Sequence, residues 1–569
     1  MTVLGISIDV YISSAILLID GEIIAAVAEE RFTREKRSRE FPLNAIKYCL
    51  EKGEIKIEDI DYIAVAWNPG VHLKRVNWRF SDSARWRAEY LYSVPNHLVS
   101  LMENKTIDHI EQVLHQKNGE RKIIYVNHHL SHAANAFFLS PFQEAAILTA
   151  DGFGEEETTV FATGKANKIE KIDSVVFPHS IGLLYGTMTE LLGFKRDSDE
   201  WKVMALASYG SRNNQYYKKL KKLVTVFLDG KFELDLTYFS YYLHDQPHSF
   251  SNKLIELFGE SKDTKQPFKQ HHYEIASALQ QVTEEALINI LTSLHKKTKK
   301  NNLVVGGGVF MNSVFNGKII KKTPFKKVFI SSCPDDTGIS IGAALYVYNH
   351  LHKKTIRNTQ THNFYGPEFK NEEIKEILQK YSIKSVYIEK IEKYTADLLI
   401  QGKIIGWFQG KMEFGQRALG NRSILADPRK NDMKEKINKA VKYREVFRPF
   451  APAILEEFTR EYFVCDNDDS SLFMEKVFPI KIDKQSKIPA VTHIDGTGRL
   501  QTVNKQTNER FYKLITEFYK KTKIPIILNT SFNLNGEPIV CTPVDAIQSF
   551  YSSGLDVLIM GNYVVLKEN

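Results

Sequence analysis

Two stretches of this chain carry one design, and that repetition limits the fold more than any other feature. VLGISIDV (3–10), SSAILLI (13–19) and EIIAAVAEE (22–30) read as three short apolar strands, with Asp20-Gly21 as the tight turn before the third. Just past Asp151 the run TTVFATGKANKIEKIDSVVF (158–177) has the same strand–turn–strand character. Two related meanders predict two related halves, each built on its own sheet.

Between them lies VNHHLSHAANAFFLSPFQEAAILTADGFGE (126–155). If helix begins at the histidines, as AANAFF suggests, His128 and His132 stand one turn apart on one face. Asp151 ends the apolar run AAILTA, a position from which a carboxylate reaches into a cleft. Two imidazoles and a carboxylate make a site for a divalent metal such as iron, manganese or zinc. The plainer reading is a helix start beside a satisfied core histidine. Farther on, Asp335 and Asp336 sit between a strand and a helix start, so either is a fourth ligand or an N-cap.

Residues 272–298 form the clearest amphipathic helix, with lysines gathered at its C-terminal end. A short strand then runs into Gly306, Gly307 and Gly308, and a helix is expected to follow. Such glycines let backbone approach a ligand, and a helix start would offer N–H groups to an anion. A tight strand–helix turn accounts for the triplet equally well. A three-stranded meander with an acid in its first strand is how actin-like nucleotide-binding folds begin, which favours the nucleotide reading. Arg31, Arg34, Lys36, Arg37 and Arg39 form either a basic rim for an anionic ligand or a solvated loop. Residues 70–120, rich in aromatic and basic side chains, read as a helical insertion and as the place where ligand specificity is set.

A first domain is expected over 1–352, a polar Gly-Pro-containing linker over 353–372 and a second α/β domain over 373–569. The second part is dense in anion-binding side chains. GKMEFGQRALGNRSILADPR supplies Arg417, Asn421, Arg422 and Ser423; KYREVFRPF supplies Arg444 and Arg448. HIDGTGRL adds His493, Asp495 and Arg499, and Asn529 and Ser531 stand just past an apolar strand. Guanidinium forks bind carboxylates and phosphates bidentately, and Asn and Ser add neutral donors. One arginine in a loop is usually a solvated surface group; three in Gly- and Pro-framed segments point to one pocket.

Composition narrows the class. With 43% hydrophobic and 25% charged residues the chain is globular, and a net charge of +8 suits anionic small substrates without demanding nucleic acid. Cys49, Cys333, Cys465 and Cys541 form no CxxC pair, which argues for a reducing, cytoplasmic setting. Asp9 comes too early for a signal-peptide core, and no apolar run approaches a membrane span. A homodimer is the default expectation.

The motifs AEERFTREK, HHLSHAA, LTADGFGE, KVMALASYG, GGGVFMN, GQRALGNRSILADPR, FRPFAP and LNTSFNLNGEPIV occur in order along the whole chain. Together they resemble the O-carbamoyltransferases of the nodulation and antibiotic-tailoring type, including the tobramycin and cephamycin enzymes. The resemblance implies an actin-like N-terminal domain and a YrdC-like C-terminal domain. It implies that carbamoyl phosphate and ATP, with Mg2+, give carbamoyl adenylate, whose carbamoyl group passes to a hydroxyl of a small molecule or glycan. It further implies an Fe2+ site, or one for another divalent transition metal, at His128, His132, Asp151 and Asp336. Arg417, Arg448, Arg499, Asn529 and Ser531 would hold carbamoyl phosphate. Gly306, Gly307, Gly308, Asn312 and Lys36 would hold the nucleotide.

One position departs from the family. Members commonly carry a His-Asp pair before the Ser-Ser-Ala of the first hairpin, where the histidine is the expected base for the acceptor; here Tyr11-Ile12 stands there. Tyr11 is a poor base at neutral pH. His129 or a metal-bound oxygen could activate the acceptor instead, or the acceptor is an amine or an acidic hydroxyl. The competing expectations are a threonylcarbamoyl-tRNA-type enzyme and a degenerate sensor that binds carbamoyl phosphate or nucleotide without turnover.

Overall fold

A computed structural model describes the chain except residues 9–10, 70, 72–121, 244, 264, 446, 467–469 and 568–569. The expected helical insertion over 70–120 therefore lies outside the described residues. The rest divides into two compact units. The first comprises Met1–Glu29, Ser38–Asn312 and Lys318–Gln360; the second comprises Glu30–Arg37, Ser313–Gly317 and Thr361–Asn569.

The repeat read from the sequence is present in the first unit as two sheets of one topology. The strands of the first are β1 (Thr2–Ser7), β2 (Ser14–Ile19), β3 (Glu22–Ala28), β4 (Tyr62–Val65) and β5 (Lys122–Tyr125), in the order β3-β2-β1-β4-β5. β1, β2 and β3 pair antiparallel, while β4 and β5 continue the sheet in parallel. The second sheet begins with β6 (Glu144–Ala150), β7 (Glu157–Lys165) and β8 (Lys168–Val176). A small hairpin, β9 (Val224–Val226) and β10 (Phe232–Leu234), precedes β11 (Asn302–Gly306) and β12 (Lys327–Ile330). The order β8-β7-β6-β11-β12 repeats the first sheet strand for strand, with β6–β7–β8 antiparallel and β11 and β12 parallel to β6. A meander extended by two parallel strands, made twice, is the actin-like architecture.

Burial follows from this layering. Parallel strands covered on both faces must be apolar throughout, and Leu303, Val304 and Val305 of β11 are fully buried. Edge strand β8 instead buries only Ile169 and Val175 and leaves Lys168, Glu170, Lys171, Ile172 and Val176 exposed. Helix Gln270–Thr298 packs along the unit and ends in His295, Lys296 and Lys297, which oppose the negative end of its dipole. Helix Ile339–Leu345 packs on both β1 and helix His128–Phe138.

The second unit is built on one mixed nine-stranded sheet. Its strands are β13 (Val386–Tyr387), β14 (Ile405–Phe408), β15 (Arg422–Ala426), β16 (Ala451–Leu455), β17 (Lys476–Pro479), β18 (Thr497–Val503), β19 (Ile526–Ser531), β20 (Val557–Met560) and β21 (Tyr563–Leu566). They lie in the order β13-β21-β20-β14-β15-β19-β16-β18-β17. The sheet buries Trp407, Ile424, Ile454, Leu528 and Ile559; helix Glu509–Thr522 packs on β16 and β19, and helix Pro543–Tyr551 on β14 and β20. The α/β character expected for this part is what the structure shows.

The units divide inside the stretch expected as a linker, and that stretch is anchored. Arg357 donates to the carbonyls of Phe137 and Ala166, and Gln360 accepts from the Ser332 N–H, all within the first unit. Asn363 donates to Phe414 O within the second. Segment 30–37 also belongs to the second unit: Arg31 donates to Gly415 O, and Arg34 to Pro538 O and Ile539 O.

Candidate metal centre and anion pocket

Helix His128–Phe138 starts at the first histidine, so the four-residue spacing puts His128 and His132 one turn apart. Both are fully buried. Their Nε2 atoms lie 3.1 Å apart, with the rings nearly perpendicular. Asp151 follows β6 directly, and Asp336 lies between β12 and helix Ile339–Leu345. β6 and β12 both run parallel to β11, so both aspartates emerge at the carboxyl ends of the sheet, where open α/β sheets bind ligands.

His132 Nε2 is 2.9 Å from Asp151 Oδ2 and 3.2 Å from Asp336 Oδ1; His128 Nε2 is 3.5 Å from each. The four ligand atoms lie within 4.8 Å of one another. Asp151 Oδ2 and Asp336 Oδ1 are buried and make no hydrogen bond of acceptable geometry among the described residues. Four converging lone pairs, two nitrogen and two oxygen, fit a divalent transition metal: donors about 2.1 Å from one ion stand about 3.0–3.4 Å apart. Burial alone would lower the pKa of His132, but Asp151 and Asp336 outweigh it and raise it to about 9. Burial would raise Asp151, but His128 and His132 hold it well below the carboxylate range.

Of the two aspartates left open by the sequence, Asp336 joins the cluster. Asp335 is buried beside it, and burial with the Asp336 charge pushes its carboxyl up to about 6. Helix Ile339–Leu345 is capped at Gly338 without a side-chain bond, so neither aspartate is its N-cap.

His129 is a satisfied core histidine. Nδ1 is 2.8 Å from Thr149 Oγ1, and Nε2 is 3.0 Å from Glu157 O, which must accept. Nε2 therefore carries the proton, Nδ1 accepts from the threonine, and burial with the charges of His128 and His132 pushes its pKa well down. That removes His129 as the acceptor-activating base. Tyr11 is half-buried, between β1 and β2.

Glu155 was assigned no role from the sequence, although it closes the motif LTADGFGE. Both of its oxygens lie 3.0 Å from the His128 N–H, and Oε1 also accepts from Asn68 N at 2.7 Å. Asn127, the N-cap by position, makes no side-chain cap bond, so Glu155 caps the helix from a distant loop.

The glycine run leads into no long helix. Gly307 has φ +97°, and a Cβ there would lie 2.1 Å from Ala150 O. A Cβ on Gly308 would lie 3.0 Å from Asp151 Oδ1, so the run packs against the metal cluster. The helix expected after it is single turns only, Gly308–Met311 and Ser313–Asn316, too short for a useful dipole. Asn312 exchanges amide hydrogen bonds with Gln280, at 2.9 and 3.1 Å. Lys36, expected beside this run, lies in the second unit, where Arg448 acts on it.

In the second unit Arg417, Arg448 and Arg499 come together. Burial pushes the Arg499 guanidinium well below its usual pKa, and the charges of Arg417, Arg444 and Arg448 push it further. Arg444 is lowered by burial and by Arg448, against Glu445; Lys442 by burial and by Arg444, Arg448 and Lys36, against Glu537. Arg499 Nε has no hydrogen-bond partner among the described residues. Lys442 was missed; its sequence signal was the basic run KYREVFRP. Its Nζ is held by Ser531 O at 2.5 Å and by Asn533 O and Oδ1 at 2.9 Å.

Arg422 and Glu413, from the same stretch as Arg417, serve the fold. Arg422 is fully buried, its guanidinium 3.7 Å from the Phe408 ring centroid and spent on the carbonyls of Gln409, Gly410, Asn421 and Pro367. Glu413 Oε1 gathers the N–H groups of Leu419, Asn421 and Arg422 at 2.7, 2.8 and 3.3 Å, which shapes the loop presenting Arg417. Asn529 and Ser531 were expected as neutral donors. Asn529 gives its amide hydrogens to Ala418 O (3.2 Å) and Gln501 Oε1 (2.8 Å), and Ser531 gives its hydroxyl hydrogen to Asn533 Oδ1 (2.7 Å).

Comparison with known proteins identifies the family. The family described as carbamoyltransferase N-terminus matches residues 2–345, and carbamoyltransferase C-terminus matches residues 396–567. The nodulation protein NolNO of Sinorhizobium fredii is 34% identical over 97% of this chain and 78% of its own length. NolO of Bradyrhizobium diazoefficiens is 36% identical over 78% of this chain and 79% of its own. The uncharacterized protein sll1178 of Synechocystis sp. is 37% identical over 99% of this chain and 96% of its own. Among the described residues no helix is long and apolar enough to cross a membrane. With both family domains matched in order and relatives alike along most of their length, the chain belongs to the carbamoyltransferase family and is a carbamoyl-transferring enzyme.

Proposed function

We propose that this enzyme activates carbamoyl phosphate with MgATP as carbamoyl adenylate and transfers the carbamoyl group to a hydroxyl of a small molecule or glycan. Activation consumes one water and releases phosphate and pyrophosphate; transfer releases AMP and the acceptor proton. The supporting observation is the gathering of basic side chains: the charges of Arg417, Arg444 and Arg448 act on buried Arg499 and those of Arg444 and Arg448 on buried Lys442, with Glu445 paired to Arg448 at 3.3 Å. Buried like charges are tolerated where an anion completes them, and a phosphate dianion matches guanidinium forks. In this reading Arg448 and Arg499 grip the phosphoryl oxygens, and Arg417 steadies the charge that leaves as the carbamoyl group transfers.

His128, His132, Asp151 and Asp336 would hold a divalent transition metal, with Fe2+ as the leading candidate. Such an ion supplies Lewis-acid stabilisation of a phosphate oxygen. Around it Gly307 and Gly308 keep the backbone close enough to exclude bulk water, and Glu155 fixes the helix that carries both imidazoles.

The test is carbamoyl-phosphate-dependent formation of AMP and pyrophosphate from ATP, with an acceptor screen read by mass spectrometry. Loss of at least about a hundredfold in Arg499→Ala and Arg417→Ala is expected. Undiminished turnover in both would overturn the assignment, and ligand binding with no turnover on any acceptor would favour a sensor.

A further inference from the structure

We propose that the first unit docks on an anionic membrane surface through a rim of lysines and an apolar hairpin tip, both remote from the metal cluster. This goes beyond the carbamoyl phosphate reading and does not depend on it. The second sheet has two ends. Asp151 and Asp336 emerge at the carboxyl ends of β6 and β12, and the amino ends lie one strand length away, roughly 13 Å by the rise along β11.

Lysines gather at that far end. Lys326 and Lys327 lead into β12, Lys299 and Lys300 into β11, Lys165 closes β7 and Lys168 opens β8. The strand registers set them side by side: Asn302 pairs with Lys327, Glu144 with Lys165, and Lys165 with Lys168. Lys296 adds charge from the last turn of helix Gln270–Thr298, and Lys321 and Lys322 from the single turn Ile319–Lys322. All of these but Lys300 are exposed. Glu144, held by Lys300 at 2.6 Å, is the one carboxylate in residues 140–145, 165–168, 295–302 and 318–327. Nine lysines against that glutamate leave +8, as much as the whole chain carries in excess. The helix dipole accounts for Lys296 but not for lysines on strand ends.

The hairpin β9–β10 is a second, independent observation. Its turn leaves Leu228 fully exposed and Phe227 nearly half exposed. Ser293 donates its hydroxyl to Leu228 O at 3.4 Å, one helical turn before Lys297. Asp173 lies 3.5 Å from Lys231 of the hairpin and 3.1 Å from Lys297, which ties the tip to the end of the helix that feeds the rim. On β8, Ile172 and Val176 are also about half exposed. Apolar side chains held out in water and rimmed by charge mark an interaction surface. A bilayer fits both parts: ammonium groups meet anionic headgroups, and Leu228 and Phe227 enter the acyl boundary. Nucleic acid fits one part only. The rim contains no arginine fork for phosphate, and Leu228 would stay in water. Docked this way, the unit turns its metal cluster away from the lipid.

The experiment is co-sedimentation of the full chain with vesicles of phosphatidylcholine alone and of phosphatidylcholine mixed with phosphatidylglycerol, at low and high salt. Binding to the anionic vesicles is expected to be at least about a hundredfold tighter at low salt, and to fall steeply as salt rises. The triple variant Lys168→Gln, Lys322→Gln, Lys326→Gln should weaken it by about a hundredfold. Leu228→Ser should weaken it about tenfold and leave the salt dependence as it was. Both variants alter exposed side chains and should melt with the native protein. Equal binding to the two kinds of vesicle, or undiminished binding by either variant, overturns the proposal. So does tighter binding of polyuridylate that the triple variant loses, which would make the rim a nucleic-acid surface. An oligomer seen by light scattering that Leu228→Ser dissolves would make the tip a contact between copies, and likewise overturns it.

Discussion

The carboxylate of Glu155 receives the main-chain N–H of His128 on both oxygens, each at 3.0 Å. The chain thereby caps the helix bearing both imidazoles with a residue 27 positions away. Glu155→Ala should cost about 1–2 kcal/mol of stability, and more of the bound metal than that loss alone would predict. Thermal melts paired with elemental analysis check this; retained metal at a lowered melting temperature would restrict Glu155 to capping.

The cluster itself gives a paired prediction. His132→Ala and Asp336→Asn should each strip most of the transition metal from purified protein, because each removes one of four ligand atoms. Asp335→Asn, one residue away, should leave it bound. Inductively coupled plasma analysis distinguishes the three, and metal retention in His132→Ala would refute the ligand set.

Arg422 and Arg499 look alike in sequence and should behave in opposite ways. Both terminal nitrogens of Arg422 are paired with carbonyls, so Arg422→Ala should destabilise the protein by about 3 kcal/mol or more. Arg499 stands among like charges, so Arg499→Leu should melt no lower than the native protein while losing activity at least about a hundredfold. Denaturant midpoints and AMP release measure the two effects.

His493 adds a pH dependence. Its Nδ1 lies 3.1 Å from Thr497 Oγ1, whose hydrogen goes to Asp495 at 2.7 Å. Burial outweighs the Asp495 charge and, with Arg499 and Lys434, pushes the imidazole down to about 4 from 6.5. The folded pKa lies below the unfolded one, so this contribution is complete above about pH 6.5 and is lost as pH falls towards 4. Going from pH 7 to pH 5 should cost up to about 2 kcal/mol through this group, and His493→Gln should remove that share of the slope. Urea midpoints at the two pH values check it.

How much was legible depended on whether a role is set locally. The His128/His132 spacing and the strand-end Asp151 could be read because helix pitch and strand termination are local, and the repeated meander exposed the duplicated sheets. The residues alone left Asp335 and Asp336 open, and only the family resemblance singled out Asp336. The residues alone likewise did not separate Arg422 from Arg499, because the partners of Arg422 include Pro367, far back in the chain. Lys442 opens the basic run KYREVFRP, but only the fold shows that its Nζ is held by Ser531 and Asn533. That Asn529 spends its amide hydrogens on Ala418 O and Gln501 Oε1 depends on other strands and loops, which the sequence does not bring together.

The eight residues Glu30–Arg37 belong to the second unit although their flanks on both sides belong to the first. Ser313–Gly317 does the same, with Asn316 donating to Glu475 O. A fragment beginning at Thr361 would leave the carbonyls of Gly415, Pro538 and Ile539 without the guanidinium groups that bind them. Hybrids made by exchanging C-terminal halves between relatives will need those two short inserts from the same parent, so the two halves can be expected to have been inherited as one piece rather than shuffled.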